Sequence, residues 1–110
     1  MIRKKLQGYK KQDSVYEIFS PIHFITEEKV IEKLEACKYQ CYYCNSTVKL
    51  VYGPRDSEQW TLDRINNSMG QNTDNVLISC LGCNLKRRNR DVNKFLFTKR
   101  LVIKKLDRNV

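Results

Sequence analysis

Apolar residues first recur at helical spacing in Val30-Ile31, Leu34 and Cys37, an i, i+1, i+4, i+7 stripe that predicts an amphipathic helix over about 27–38. Thr26 stands where an N-cap belongs, and Glu27 and Glu28 fall in the first turn, where the helix dipole favours anions. Before this helix, Ser20-Pro21 marks a turn, and residues 1–20 show little periodicity and read as a basic arm. After it the period changes. Val48, Leu50 and Tyr52 alternate with polar or smaller residues, which predicts a short strand ended by Gly53-Pro54. A polar loop over 53–59 leads to a second strand at Trp60–Ile65, a turn-rich loop at Asn66–Gly70 and a third strand at Val76–Ser79. A short helix then opens at the last cysteine pair and runs through about Arg88. Asp91 is placed to cap a final helix over Val92–Arg100, and Leu101–Ile103 either continue it or turn into a strand. The expected class is α+β.

Cysteine spacing adds the first chemistry. Cys41-x-x-Cys44 and Cys80-x-x-Cys83 are two CxxC knuckles, each able to present two thiolates to one tetrahedral ion. Two disulfides are the other reading, but adjacent CxxC pairs behind an N-terminus with no apolar secretory core favour a reducing compartment and metal. A four-thiolate shell leaves no open position, so zinc here is expected to staple the chain, not to hydrolyse anything. Residues 45–79 lie between the knuckles and must fold within that gap. Cys37 belongs to the helical stripe and reads as a core thiol outside the zinc site. Trp60 reads as core, and Tyr39, Tyr42 and Tyr43 as packing around the first knuckle.

A chain of 110 residues suits one domain that zinc would help to stabilise. No apolar run approaches transmembrane length, so the expectation is a soluble, intracellular protein that is not secreted. The net charge of +9 is unevenly spread. Residues 1–11 and 86–110 carry most of the Lys and Arg, whereas the middle is net negative. That split fits a module gripping a polyanion with its ends, the alternative being a merely solvated basic face.

Taken in order, the pattern CxxC, then Trp60-x-Leu62-Asp63-Arg64-Ile65, then Asp74-Asn75-Val76, then Cys80-x-x-Cys83-Asn84-x-x-Arg87, resembles the HNH nucleases with a ββα-metal core, in the zinc-stabilised branch with two CxxC pairs. The resemblance covers about residues 41–90. It implies a small zinc-stapled α+β domain with an HNH ββα-metal core; the flanks carry no motif of that family, and pattern and charge alone read them as a basic arm at 1–20 and, within one domain at 21–110, flanking helices with a basic helical extension at 91–110. It further implies a DNA endonuclease or nickase that places one hydrated divalent ion, Mg²⁺ or a similar cation, beside the scissile phosphate of double-stranded DNA. Asp63 is then the carboxylate ligand, Asn84 the second ligand at the start of the helix, and Asn75 the brace for a neighbouring active-site side chain. Arg87 then meets a phosphate, while Lys86, Arg88 and Arg90 read from the basic charge of the flank as further nucleic-acid contacts. Small proteins of this kind are associated with phages, viruses and mobile elements.

Residue chemistry points the same way. A carboxylate and an amide oxygen with several free positions suit magnesium better than zinc, and such an ion can stabilise a departing 3′ oxygen. Taken singly, Asp63 reads as a turn or strand-end aspartate and Asn84 as a cap.

The departure from the family pattern lies at Arg64, where most members hold the general-base histidine; arginine stays protonated and cannot take a proton from water. Relatives of this branch often have a histidine after the loop glycine, and here that position is Gln71. His23, the only histidine, reads as structural among its apolar neighbours. Three routes stay open: attack without a protein base while Arg64 clamps the phosphate, a swing of His23 into the site, or loss of hydrolysis with DNA binding kept. A catalytically silent zinc module that binds nucleic acid is the alternative function, and a protein–protein adaptor the third.

Overall fold

The computed structural model describes the backbone of residues 2–108 and the side chains of residues 2–101. Its elements are α1 (Ile2–Val15), α2 (Glu27–Ala36), β1 (Trp60–Arg64), a single 3-10 turn (Thr73–Asn75), β2 (Val76–Cys80), α3 (Leu81–Arg87) and α4 (Val92–Arg108). Among the described residues this is a small α+β arrangement of four α-helices around a two-stranded sheet. No helix among them is long and apolar enough to cross a membrane.

β1 and β2 pair antiparallel with Trp60 opposite Cys80, Leu62 opposite Ile78 and Arg64 opposite Val76. Both strands are buried on nearly every residue, with α2 and α3 packed against the sheet and α1 hydrogen-bonded to β1. Trp60 is fully buried and Leu62 nearly so, each contributing about 1.5–3 kcal/mol on the usual burial scale. α2 begins as its caps require: the Thr26 hydroxyl accepts from Lys29 N, and Val30 and Leu34 face the core. The Cys37 thiol is half-buried and donates to Leu34 O. Asp91 caps α4 by accepting from Lys94 N, and among the described side chains of that helix Val92 and Phe95 are buried. Leu101–Ile103 continue the helix. The expected basic contribution of Lys104, Lys105 and Arg108 lies outside the described side chains.

Two expectations are corrected. Residues 1–20 are not a bare arm: Ile2–Val15 form a helix laid along β1. Lys5 Nζ donates to Gln59 Oε1 at 2.8 Å and to Trp60 O, Tyr9 Oη accepts from Leu62 N at 3.2 Å, and Asp13 Oδ2 accepts from Gln71 N at 2.8 Å. Four helical residues rise about 6 Å and two strand residues advance about 6.6 Å, so anchors at 5 and 9 stay in step with 60 and 62. The stripe that docks α1 is mostly polar, and a search for apolar periodicity passes over it. Leu6 is its only buried apolar residue. Burial of the Lys5 ammonium over the Tyr52 and Trp60 rings lowers its pKa to about 8.

The strand expected at Val48–Tyr52 is the second correction. Lys49 makes one isolated bridge to Gln59, with Lys49 N donating to Glu58 O and Lys49 O accepting from Trp60 N. Val48 is buried and Val51 exposed, so the alternation reported which side chains turn inward, without a ladder to extend it.

Candidate functional site

The two knuckles meet. The sulfurs of Cys41, Cys44, Cys80 and Cys83 all lie within 4.8 Å of one another, and those of Cys44 and Cys80 are 3.9 Å apart. Four thiolates at zinc–sulfur bonds of about 2.3 Å would stand about 3.8 Å apart, so the cluster can hold a metal ion such as zinc. Local backbone prepares this. Asn45, in the left-handed region at φ 61°, closes the first knuckle by donating its N–H to Cys41 O, and Cys83 N donates to Cys80 Sγ at the start of α3. Packed together as thiols, Cys41 and Cys83 resist ionisation. Cys41 is pushed up to about 12 by its hydrogen bond with Cys80 and by burial, and Cys83 to about 12 by burial and the charge of Cys41. Cys37 is outside the cluster. Tyr43 is buried beside it, edge-on to Tyr42 and to Phe95 of α4, which ties the last helix to the first knuckle.

Beside the thiol cluster a cleft of about 430 Å³ is lined by Asp63 and Arg64 of β1, Asn84 of α3 and Arg88, with Tyr9 and Gln12 of α1 as its far wall. Asn84 and Arg88 stand one helical turn apart and share a face, as do Cys83 and Arg87 on the adjoining, buried side. Asn84 Nδ2 donates to Thr61 Oγ1 at 3.1 Å, and Thr61 in turn donates to Ser79 O, so the amide oxygen is the atom left over for a cation. Asp63 is 3 % exposed, with Oδ1 held by Arg87 and Oδ2 buried without a hydrogen-bond partner. Burial raises its pKa, opposed by the Tyr43 hydroxyl and by the charges of Arg87 and Arg64. Tyr43 is buried without a hydrogen bond of regular geometry, and burial together with the charge of Asp63 keeps its phenol protonated. An orphaned carboxylate oxygen and a free amide oxygen on one cleft suit a hard, oxygen-liganded cation better than zinc.

Arg87 is where the structure departs most from the expectation of a phosphate contact. It is 2 % exposed, and its guanidinium donates to Asp63, Arg64 O, Ile65 O and Arg90 O. Lys86 on α3, and Arg88 and Arg90 just beyond it, are exposed, so the basic run divides into one buried and three solvent-facing members. A positive φ of 52° at Arg88 ends α3 and turns the chain toward α4.

Asn75 does not line the cleft; it braces the loop that does. Its side chain accepts from Asn66 N and donates to Asn66 O and Gly70 O. Arg64 Nη1 donates to Asn67 O at 3.2 Å and Met69 O at 3.4 Å, carbonyls of that same braced loop. Gln71 lines the cleft from the loop's end, and its amide, turned to satisfy both groups, donates to Asp13. Asp13 is fully buried, and burial raises its pKa against the Gln71 N–H and the Arg64 charge. A Cβ at Gly70 would collide with the Asp13 carboxylate and Ile18 O, so this approach requires glycine. His23 is exposed on a different cavity, with Nδ1 2.9 Å from Ser20 Oγ.

Sequence reasoning missed Tyr9, Gln12, Asp13 and Thr61. The available signal was Asp13, an acid within a basic helix. Comparison with protein-family models, with curated proteins and with solved structures finds no match to this chain.

Proposed function

We propose that this protein is a metal-dependent DNA endonuclease or nickase of the HNH type, with β1, β2 and α3 as its ββα-metal core and the four cysteines as a structural zinc site. The observation that carries this reading is the cleft that joins Asp63 of β1 to Asn84 of α3, each with one oxygen free of protein partners, beside exposed basic residues at the end of α3. Asp63 and Asn84 would hold the divalent ion, which when bound supplies charge to stabilise a phosphoryl oxygen and a departing 3′ oxygen. Arg64, held by the loop carbonyls at the cleft wall, binds the phosphate and orients it, since it cannot serve as a base. Zinc closes the gap between knuckles and sets α3 against the sheet.

The test is nicking of supercoiled plasmid with magnesium or manganese. Asn84→Ala should abolish cleavage while zinc content and DNA binding persist; Asp63→Ala should abolish it too, read below its melting transition because it also leaves the buried Arg87 unpaired. Full activity in either variant would show that the ligands are elsewhere.

One observation favours a second reading. Arg87 already neutralises Asp63, and no histidine lines the cleft, which suits a silent zinc module that binds nucleic acid through its basic face. DNA binding without cleavage under any divalent ion would select it.

A further inference from the structure

Three cavities on this protein join end to end. The cleft at Asp63 shares Tyr9, Gln12, Thr61 and Leu81 with a cavity of about 610 Å³ that runs along α1, and it shares Leu85 and Arg88 with one of about 600 Å³ beneath α4. The first two lie between α1 and the edge made by β1 and α3, the third lies between the end of α3 and α4, and the shared side chains place the three in sequence as one groove. Its charge is one-sided. Lys5 and Lys11 line the α1 stretch, Arg64 and Arg88 the middle, and Lys86 and Arg90 the far end, while among the described residues the sole acidic lining residue is Asp63, paired with Arg87.

We propose that this groove carries a single strand of DNA across the Asp63–Asn84 cleft, with α1 as a working wall that holds the strand on the side away from the α3 basic run. The inference rests on the nuclease reading and adds the strand's path to it. Lys5 is committed to Gln59 and the Trp60 carbonyl, so Lys11, exposed and without an ion pair among the described residues, is the phosphate contact on α1. Tyr16 lines the same stretch at 66 % exposure, and an exposed aromatic ring beside a cationic groove is what a base stacks on. Gln12 lies between them and the cleft, within reach of phosphate or base edges. Lys5, which donates to the loop before β1, and Tyr9 and Asp13, which accept from β1 and from the 66–72 loop, hold this wall in place.

Fluorescence anisotropy with a labelled single-stranded oligonucleotide, on the zinc-loaded full chain, tests the path. Lys11→Glu and Tyr16→Ala should each weaken binding about tenfold, on the scale of a lost phosphate or stacking contact, and Lys11→Glu should flatten the salt slope by about 1. Lys4→Glu makes the same charge change on α1 but lines none of the three cavities, and it should cost no more than about twofold through the general field. Unchanged melting curves for these exposed positions exclude misfolding. Equal losses from Lys4→Glu and Lys11→Glu would overturn the groove in favour of a diffuse basic surface. Normal binding by Lys11→Glu and Tyr16→Ala, with Arg88→Glu releasing the strand, would send it another way and leave the nuclease reading standing. Competition by polyglutamate as strong as by DNA would make the groove a general anion site and overturn it, and wild-type protein that binds no DNA would remove the underlying reading itself.

Discussion

Arg87 donates through Nη1 to Oδ1 of Asp63 with both side chains almost wholly buried, tying the helix that carries the second knuckle to the strand that carries the cleft. Arginine tolerates such burial only when its remaining donors are filled, and the carbonyls of Arg64, Ile65 and Arg90 fill them. One oxygen of Asp63 is thus committed to the fold, and the other is buried without a hydrogen-bond partner near the Tyr43 hydroxyl.

Arg87→Met should destabilise the protein by about 3–5 kcal/mol, because it strands the Asp63 charge in the interior. Asp63→Asn in the same background should recover part of that loss. Urea denaturation of the zinc-loaded single and double variants measures the coupling, and strictly additive losses would show that the two groups do not depend on each other.

Zinc should bind at one ion per chain, and its removal should unfold the protein. Structural zinc sites of this kind contribute on the order of 10–16 kcal/mol of apparent binding energy at neutral pH, which exceeds the stability of most small domains. Elemental analysis and a melt with and without chelator check this; a chelated protein that keeps its transition defeats it. Cys37→Ser should leave the zinc content unchanged, since Cys37 lies outside the four-sulfur cluster.

The pH dependence of stability should carry the mark of Asp13. Its folded pKa is raised above the ordinary 3.8, chiefly by burial, so the folded state holds its proton longer than the unfolded chain does. The stability from this group is complete below the unfolded pKa and is lost as pH rises through the folded one. Relative to Asp13→Asn, the wild type should therefore lose stability as pH is raised from about 4 toward neutrality. Thermal melts of both proteins across that range, at saturating zinc, report the difference; a gap that widens in favour of wild type would reverse the sign.

Arg64→His tests the missing base. It puts a group titrating near 6.5 at the cleft wall, so single-turnover cleavage should rise and its pH profile should gain a limb near that value. It also releases the carbonyls of Asn67 and Met69, so the rate is read at saturating protein with the melting temperature checked. Fast wild-type cleavage that the substitution slows would mean the site works around arginine.

The chain by itself determined the parts whose cause is local. CxxC spacing specifies two knuckles because the turn between the cysteines is encoded within four residues, and the four sulfurs do converge. Thr26 and Asp91 announce their helices because a cap is a contact over three residues. β1 and β2 were legible from their apolar runs, within a residue at their ends.

Tertiary structure decided the rest. α1 docks through Lys5, Tyr9 and Asp13, polar groups whose partners lie more than fifty residues away, and no local pattern names such partners. The Val48–Tyr52 segment alternates correctly yet forms one bridge, because pairing depends on a neighbour the segment does not contain. Arg87 sits in a run of basic residues that looks uniformly solvated. Its place one turn after Cys83 on α3 puts it on the buried face, and the Asp63 carboxylate that makes this tolerable arrives only when strand and helix meet.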